Sequence, residues 1–164
     1  MGESGAFNTI SLFSGVGGIE LGLKLAVPAA RTVCYVEWNR HCQAVLQARM
    51  RDGLLDAAPI WDNVTTFDGR PWRGRVHCVA GGFPCQDISC AGKRAGFVGE
   101  RSSLWFEFAR VIHEVGPDFV FVENVDELVN SELYAVLGSL AGLGYAAEWD
   151  VFSGTSWISQ RRPG

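Results

Sequence analysis

Cys85, which directly follows Pro84, is the residue whose sequence context most clearly predicts a chemical role. Cys85 lies in the segment Gly81-Gly-Phe-Pro-Cys-Gln-Asp87, which follows an apolar stretch with the pattern of a strand. Pro84 restricts the residue before it to an extended conformation, so we expect the thiol at the head of a loop. A thiol exposed on a loop is available as a nucleophile, whereas a buried thiol is inert. The buried alternative fits Cys34 and Cys78 better, because strand-like residues flank each of them.

A carboxyl group and an amide, Glu123 and Asn124, follow the apolar run Phe119-Val-Phe-Val122. A continuous apolar run is typical of a strand covered on both faces. At that depth the pKa of the Glu123 carboxyl should be raised, so that it can donate a proton near neutrality. Two alternatives stay open: Glu123 is an ion-paired acid at a strand end, and Asn124 holds the loop that carries Cys85.

Three further segments have the residue types of a ligand site. Glycines in Phe13-Ser-Gly-Val-Gly-Gly18 separate a strand from a helix and let the backbone approach a ligand, although such a turn is often only a connection. Glu37, about 20 residues later, is placed to bind ribose hydroxyls, or is an exposed glutamate at a helix start. Trp38 beside it can stack on adenine. Asp62 can accept from an adenine amino group, but Asp62 and Asn63 are also ordinary turn residues.

Alternating strands and helices are needed to position these residues. The patterns predict strands over residues 9–13, 31–36, 76–80 and 119–122, with a strand-like stretch over 145–152. They predict helices over residues 19–26, from the cap Asn39 to Met50, over 104–115 with Ser102 or Ser103 as cap, and around 133–140. This alternation predicts an α/β fold, a single Rossmann-like domain with a mostly parallel sheet and helices on both faces. In such sheets ligands bind beyond the carboxyl ends of the strands, where the candidate residues fall.

Composition limits the class of protein. The 164 residues are 48% hydrophobic and 20% charged, which predicts a folded domain, and no stretch has the length and polarity of a membrane span. Five cysteines without a CxxC pair favour reduced thiols in the cytoplasm over disulfides or a zinc site, and the N-terminus lacks a secretion signal. The net charge of −4 indicates that little of a DNA-gripping surface lies in this chain.

In order and context, these segments resemble the motifs of the C5-cytosine DNA methyltransferases over nearly the whole chain. The resemblance implies the methyltransferase fold and S-adenosylmethionine as cofactor, with S-adenosylhomocysteine as product. The implied cofactor-binding residues are Phe13, Ser14, Gly15, Gly17, Gly18, Glu37, Trp38, Asp62, Asn63, Gly81, Pro84 and Leu104. The implied setting is methylation of double-stranded DNA in a restriction-modification or phage/host system.

The resemblance also implies a covalent mechanism. The Cys85 thiolate adds to C6 of a cytosine flipped out of the duplex, and Glu123 bonds the N3 edge of that base. C5 then takes the methyl group, a base removes the C5 proton, and elimination frees the thiol. The implied catalytic residues are Cys85, Glu123, Asn124, Gln86, Pro84 and Arg162.

The chain departs from the family pattern near its end. Arg162 matches the first arginine of a Gln-x-Arg-x-Arg segment, but Gly164 stands in place of the second. The target-recognition region and the C-terminal motifs are not in the sequence. We therefore expect a fragment, one half of an enzyme completed by a second polypeptide, or a relic. Alternatives of other classes are a non-catalytic cofactor-binding subunit and an RNA cytosine-5 methyltransferase, whereas a cysteine–histidine hydrolase is disfavoured because no histidine follows a strand end.

Overall fold

The computed structural model describes residues 5–83, 103–124 and 133–152. The chain divides into two compact units, Met1–Val125 and Asp126–Gly164, which are described separately. Ser102, one of the two residues expected to cap the third helix, lies outside the described ranges. The side chain of the other, Ser103, is also not described. The described ranges also leave out Pro84, Cys85, Gln86 and Arg162.

Strands and helices alternate through the first unit. The strands are β1 (Phe7–Leu12), β2 (Ala30–Val36), β3 (Ile60–Trp61), β4 (Cys78–Gly82) and β5 (Phe119–Glu123). The helices are α1 (Gly18–Ala26), α2 (Arg40–Arg51) and α3 (Ser103–Val115), and two 3-10 turns, Val64–Thr66 and Arg70–Trp72, follow β3. The predicted α/β alternation is therefore confirmed, although β4 begins and ends two residues later than expected and β3 was not predicted.

The five strands form one parallel sheet in the order β3-β2-β1-β4-β5. In register, Leu12 of β1 lies beside Val36 of β2 on one side and beside Gly81 of β4 on the other. The chain winds outward from β1 to β3 and then crosses back to β4. The carboxyl ends of β1 and β4 therefore flank the point where the winding reverses, which is the crevice where such sheets bind ligands.

Helices cover both faces of the sheet. Successive side chains of a strand point to opposite faces. Ser11 of β1 contacts Glu20 of α1, whereas Gly81, the register partner of Leu12, lies against the Phe108 ring of α3. α1 and α3 therefore lie on opposite faces, as predicted.

The core follows the predicted apolar patterns. On β1, Ile10 and Leu12 are fully buried, and Tyr35, Leu46 and Leu55 form a cluster between β2 and α2. The buried face of α3 consists of Trp105, Phe108, Val111, Ile112 and Val115. Each such side chain contributes about 1.5–3 kcal/mol through burial, so these contacts fix the strand ends that carry the candidate site.

The exposure of β5, one of the two edge strands of the described sheet, differs from the prediction. The apolar run of β5 predicts cover on both faces, yet Phe119 is 61% exposed and Phe121 is 46% exposed. Both share a face with Ser11 and Glu20, because Phe121 aligns with Ala80 and Ala80 with Ser11. The prediction was wrong here because β5 lies at the edge of the described sheet, where an apolar sequence does not guarantee a covering helix.

In the second unit, the described residues form α4 (Leu133–Gly142) and an irregular stretch that continues to Phe152. The predicted helix is confirmed, with Leu133, Val136 and Leu140 buried. The predicted strand over residues 145–152 is wrong. An alternating pattern forms a strand only where a neighbouring strand pairs its backbone, and the described residues of this unit include none.

None of the helices in the described ranges is long and apolar enough to cross a bilayer.

Candidate active site at the carboxyl ends of the strands

The loop of residues 13–18, here called the glycine loop, makes a tight turn between β1 and α1. Phe13, Gly15 and Gly17 all have left-handed backbone conformations, with φ of 53°, 53° and 91°. Glycine adopts these angles freely, whereas a phenylalanine there carries about 1–3 kcal/mol of strain. A side chain at Gly15 or Gly18 would meet only open space, so the backbone of this loop is accessible to a ligand at the start of α1.

Glu37, directly after β2, holds the glycine loop from one side. Its side chain is only 6% exposed. One carboxylate oxygen accepts from the Gly15 N–H at 2.7 Å, and the other accepts from the Asn39 N–H at 2.7 Å. The alternative of an exposed glutamate at a helix start is therefore wrong. Each oxygen keeps a second lone pair, so the carboxylate can still accept from ribose hydroxyls.

The two residues after Glu37 have different roles. Asn39 caps α2, since its side-chain oxygen accepts from the backbone N–H groups of His41 and Cys42, as predicted. Trp38 is 78% exposed at the carboxyl end of β2. The free face of its indole suits stacking on a planar ring.

Asp62 and Asn63 follow β3, and each fits one of the two interpretations, ligand binding for Asp62 and turn formation for Asn63. The Asn63 side chain accepts from the Thr65 N–H at 2.9 Å and the Thr65 hydroxyl at 2.8 Å, so this residue has the turn role. Asp62 is exposed, and its carboxylate is accessible to a ligand.

The segment after Asn63 is fixed by an arginine that sequence reasoning missed. Arg110 of α3 donates to the carbonyl of Val64 at 2.8 Å and to the carbonyl of Phe67 at 2.9 Å. Glu107 and Glu114, one helical turn before and after it, pair with its guanidinium at 2.7 and 2.9 Å. The i, i+3 and i, i+4 spacing of these charges was the signal that could have indicated the clamp.

Glu123 and Asn124 lie beside the base of the segment that carries Cys85. The Asn124 amide donates to the carbonyl of Phe83 at 3.0 Å. Glu123 aligns with Gly82, where an added Cβ would lie 2.6 Å from a Glu123 carboxylate oxygen. Glu123 is exposed, so the burial expected at this strand end is not found among the described residues. The hydrogen bond from the Asn124 side chain to Phe83 is the contact that a loop-holding role for Asn124 requires.

An aromatic cluster joins the two halves of the site beneath the loops. Phe108 of α3 stacks on Phe13 with centroids 6.1 Å apart and on Trp105 at 5.6 Å. Phe83 packs against Trp105 at 5.2 Å. The glycine loop and the base of the cysteine segment therefore rest on the same rings, and this contact stabilises the strained Phe13. Leu104, half-buried, precedes Trp105 at the start of α3.

Two cysteines behave as predicted for core residues. Burial raises the pKa of the Cys34 thiol to about 11 and that of the Cys78 thiol to about 11. Neither can supply a thiolate near neutrality. The other candidate thiol, Cys85, lies outside the described residues, so its role stays a prediction.

A parallel sheet with a glycine turn after β1 and an acidic residue after β2 defines a Rossmann-like fold. Two solved structures share it. Dnmt2 of Spodoptera frugiperda (a mutant) has a TM-score of 0.65 at 18% identity, and S. pombe Dnmt2 has 0.62 at 20% identity. Each match covers 84% of this chain and 41% of the other chain, and at this identity it shows the fold alone.

The chain belongs to the C-5 cytosine-specific DNA methylase family, whose model matches residues 7–163. Type II methyltransferase M.Eco47II of Escherichia coli is 34% identical over 87% of this chain, and M.PspPI of Psychrobacter is 34% identical over 87%. M.CviJI of Paramecium bursaria Chlorella virus IL3A is 32% identical over 88%. The chain spans 34% of the length of the first two relatives and 37% of the third.

Proposed function

We propose that this chain is the S-adenosylmethionine-binding and catalytic core of a DNA cytosine-5 methyltransferase. The observation that carries the proposal is that the two halves of the site lie next to each other at the carboxyl ends of the strands. The glycine loop and Glu37 lie at the ends of β1 and β2, and Asn124 bonds the carbonyl of Phe83 at the ends of β4 and β5. The family match supports the same chemistry.

The residues of the first half fit the cofactor. The glycine loop offers open backbone at Gly15 and Gly18, Glu37 offers a carboxylate, and Trp38 offers an exposed ring. Asp62 adds a second accessible acid at the end of β3. Amide groups at a helix start suit a carboxylate, an acid suits ribose hydroxyls, and an indole suits adenine. S-adenosylmethionine would supply an activated methyl group there.

In the second half, the chain's own residues would act on the base. The Cys85 thiolate would add to C6 of cytosine while Glu123 hydrogen-bonds its N3 edge. Once C5 carries the methyl group, a base would take the C5 proton and elimination would release the Cys85 thiolate. Pro84 and Gln86 would shape the loop that Asn124 holds at Phe83. Arg162 would contribute to the cytosine pocket.

The substrate and setting are also part of the proposal. Duplex DNA within a restriction-modification or phage/host system is supported by the relatives, which are named type II methyltransferases. A cytoplasmic location is supported by the free thiols of Cys34, Cys42 and Cys78. A second polypeptide that carries the target-recognition region is a partner to be tested.

Calorimetric titration of S-adenosylhomocysteine tests the cofactor half. We expect binding by the 164-residue chain and a roughly tenfold weaker Kd for Trp38→Ala, because a stacking ring contributes about 0.5–1.5 kcal/mol beyond its buried area. Trp149→Ala, which removes another exposed indole, is the matched control and should bind like wild type. Absence of binding, or an equal loss in both variants, contradicts the proposed cofactor site.

Trapping with duplex DNA that contains 5-fluorocytosine tests the catalytic half. Fluorine cannot leave as a proton does, so elimination is blocked and a covalent adduct should accumulate with S-adenosylmethionine present. The adduct should be absent in Cys85→Ser and present in Cys42→Ser. The assay is run alone and with the part of M.Eco47II that this chain does not span added as a separate polypeptide. An adduct that survives in Cys85→Ser contradicts the mechanism.

A further inference from the structure

A buried acid lies beneath the glycine loop and has no part in the proposed chemistry. Glu20, in the first turn of α1, is 4% exposed and turns toward the sheet. One carboxyl oxygen, Oε1, contacts the hydroxyl of Ser11 on β1. The other, Oε2, is buried with no hydrogen-bond partner among the described residues. An ionised carboxylate is seldom buried in this way, because an unpaired buried charge costs several kcal/mol.

The hydroxyl groups around Glu20 indicate where its proton lies. The Ser11 hydroxyl lies 2.8 Å from the Ser14 hydroxyl, and the latter lies 3.2 Å from the Ser11 backbone carbonyl. A hydroxyl has one hydrogen, so Ser11 donates either to Glu20 or to Ser14. If Ser11 donated to an ionised Glu20, Oε2 would remain a charged, buried oxygen with no donor among the described residues. A protonated Glu20 can donate to Ser11, which donates to Ser14, which donates to the carbonyl. Every hydrogen then has an acceptor, and Oε2 becomes a neutral carbonyl oxygen.

The charged groups nearby favour the same state. Burial is the largest influence on the pKa of Glu20 and raises it; hydrogen bonds from Ser11 and from the Glu20 backbone lower the pKa, repulsion by Glu37 raises it, and the net direction is upward. Tyr35 on β2 faces the same region and is neutral, since burial raises its pKa to about 12. Lys24, one turn further along α1, is ion-paired with Asp56 at 2.9 Å.

We propose that Glu20 is a positioning residue for the glycine loop, and that its neutral carboxyl joins the loop to β1 through Ser11 and Ser14. The loop is thereby held from two sides, by Glu20 beneath Ser14 and by Glu37 at Gly15. That this positioning serves a ligand rests on the proposed cofactor-binding function. Glu20 does not touch the ligand and acts through the loop.

The proposal predicts a response to rising pH. The pKa of Glu20 is raised above its unfolded value of 4.5, so its contribution to stability is full below that pH and is lost as pH rises through the folded value. Ionisation removes the donor to Ser11 and places a second negative charge near Glu37. Both changes loosen the loop. Glu20→Gln cannot ionise, and its amide N–H keeps the donor toward Ser11.

The link to the loop is tested without any ligand. The amide NMR signals of Gly15, Gly17 and Gly18 are followed in ¹⁵N-glycine-labelled protein as the pH is raised across the range in which the protein stays folded. We expect these signals to titrate in wild type and in Glu148→Gln, a surface control of equal charge change, and not in Glu20→Gln. Ser14→Ala, which cuts the relay, should also abolish the response. Loop signals that titrate in Glu20→Gln as in wild type overturn the proposal.

The link to binding is tested by calorimetry with S-adenosylhomocysteine over the same pH range. We expect affinity to fall with rising pH in wild type and to stay constant in Glu20→Gln, because only the wild-type carboxyl group can ionise. Equal pH dependence in the two proteins, or a loss of affinity in Glu20→Gln at every pH, overturns the positioning role. If wild type binds no ligand while its loop signals titrate through Glu20, the proposed function fails and the Glu20 relay stands.

Discussion

Asn124 and Glu37 each position a loop by a side-chain hydrogen bond, one in each half of the site. Each is a polar residue just beyond a strand, and each bonds the backbone of a neighbouring loop, Asn124 as donor to Phe83 and Glu37 as acceptor from Gly15. Such bonds order a loop without occupying the face that a ligand would use. We infer that the loops are positioned by strand-end side chains as well as by packing.

Substitutions of Asn124 separate positioning from cofactor binding. Asn124→Ala removes a hydrogen bond worth about 0.5–1.5 kcal/mol, so the rate of adduct formation with 5-fluorocytosine DNA should fall by about two- to tenfold. In Asn124→Asp the rate of adduct formation should fall further, because a carboxylate, which can only accept, then faces the Phe83 carbonyl, which is also an acceptor. The Kd for S-adenosylhomocysteine should stay unchanged in both. A Kd that weakens in step with the rate would show that Asn124 supports the whole fold instead.

The sequence predicts which residues stand at the site better than it predicts what they touch. Glu37 was expected at a strand end, and it lies there, but its bond to Gly15 depends on left-handed loop angles that no local pattern specifies. The same limit applies to Glu20. Helical periodicity places it on α1, but its burial against Ser11 follows from the packing of α1 on the sheet.

At the scale of the elements, close packing of β4 brings the two halves together. Gly81 lies where a Cβ would overlap the carbonyl oxygen of Leu12 and would lie 2.9 Å from the Phe108 ring. A side chain at this position would push β4 away from β1 or from α3. The glycine is therefore required for the short distance between strand ends, independently of any ligand.

A pair of glycine substitutions tests this requirement. Gly81→Ala should lower the free energy of unfolding by about 1–3 kcal/mol through overpacking. Gly22→Ala, at an exposed position inside α1 with open space around it, should raise that free energy by about 0.4–1 kcal/mol. Urea unfolding followed by circular dichroism measures both. Equal effects of the two substitutions would mean that the strands relax to admit the extra methyl group.

The elements were predictable where a pattern is long and locally complete. α3 shows its apolar face over thirteen residues, and α2 has its cap Asn39, so both were placed to within a residue or so. β3 has two residues and too little pattern to detect. The stretch over residues 145–152 has a strand-like pattern and forms no strand, because pairing depends on a neighbour that a local pattern does not reveal.

At the scale of the whole molecule, the parallel sheet holds two buried thiols on strands either side of its centre. Its central strand β1 is flanked by β2 and β4, which carry Cys34 and Cys78. These two thiols therefore report on the sheet as one unit.

Alkylation by iodoacetamide, read by peptide mass spectrometry, should show this unity. Burial raises the pKa of Cys34 and of Cys78 from 9.0 to about 11, so near pH 8 their thiolate fraction is about 100-fold lower than for a free thiol. The stability that these protonated thiols contribute is full below about pH 9 and is lost as pH rises through about 11. Both should react only through unfolding and accelerate together as urea is added, while the half-buried Cys42 reacts faster and serves as the internal control. Different urea dependences for Cys34 and Cys78 would show that β2 and β4 open separately, and that the two halves of the site are held by independent parts of the sheet.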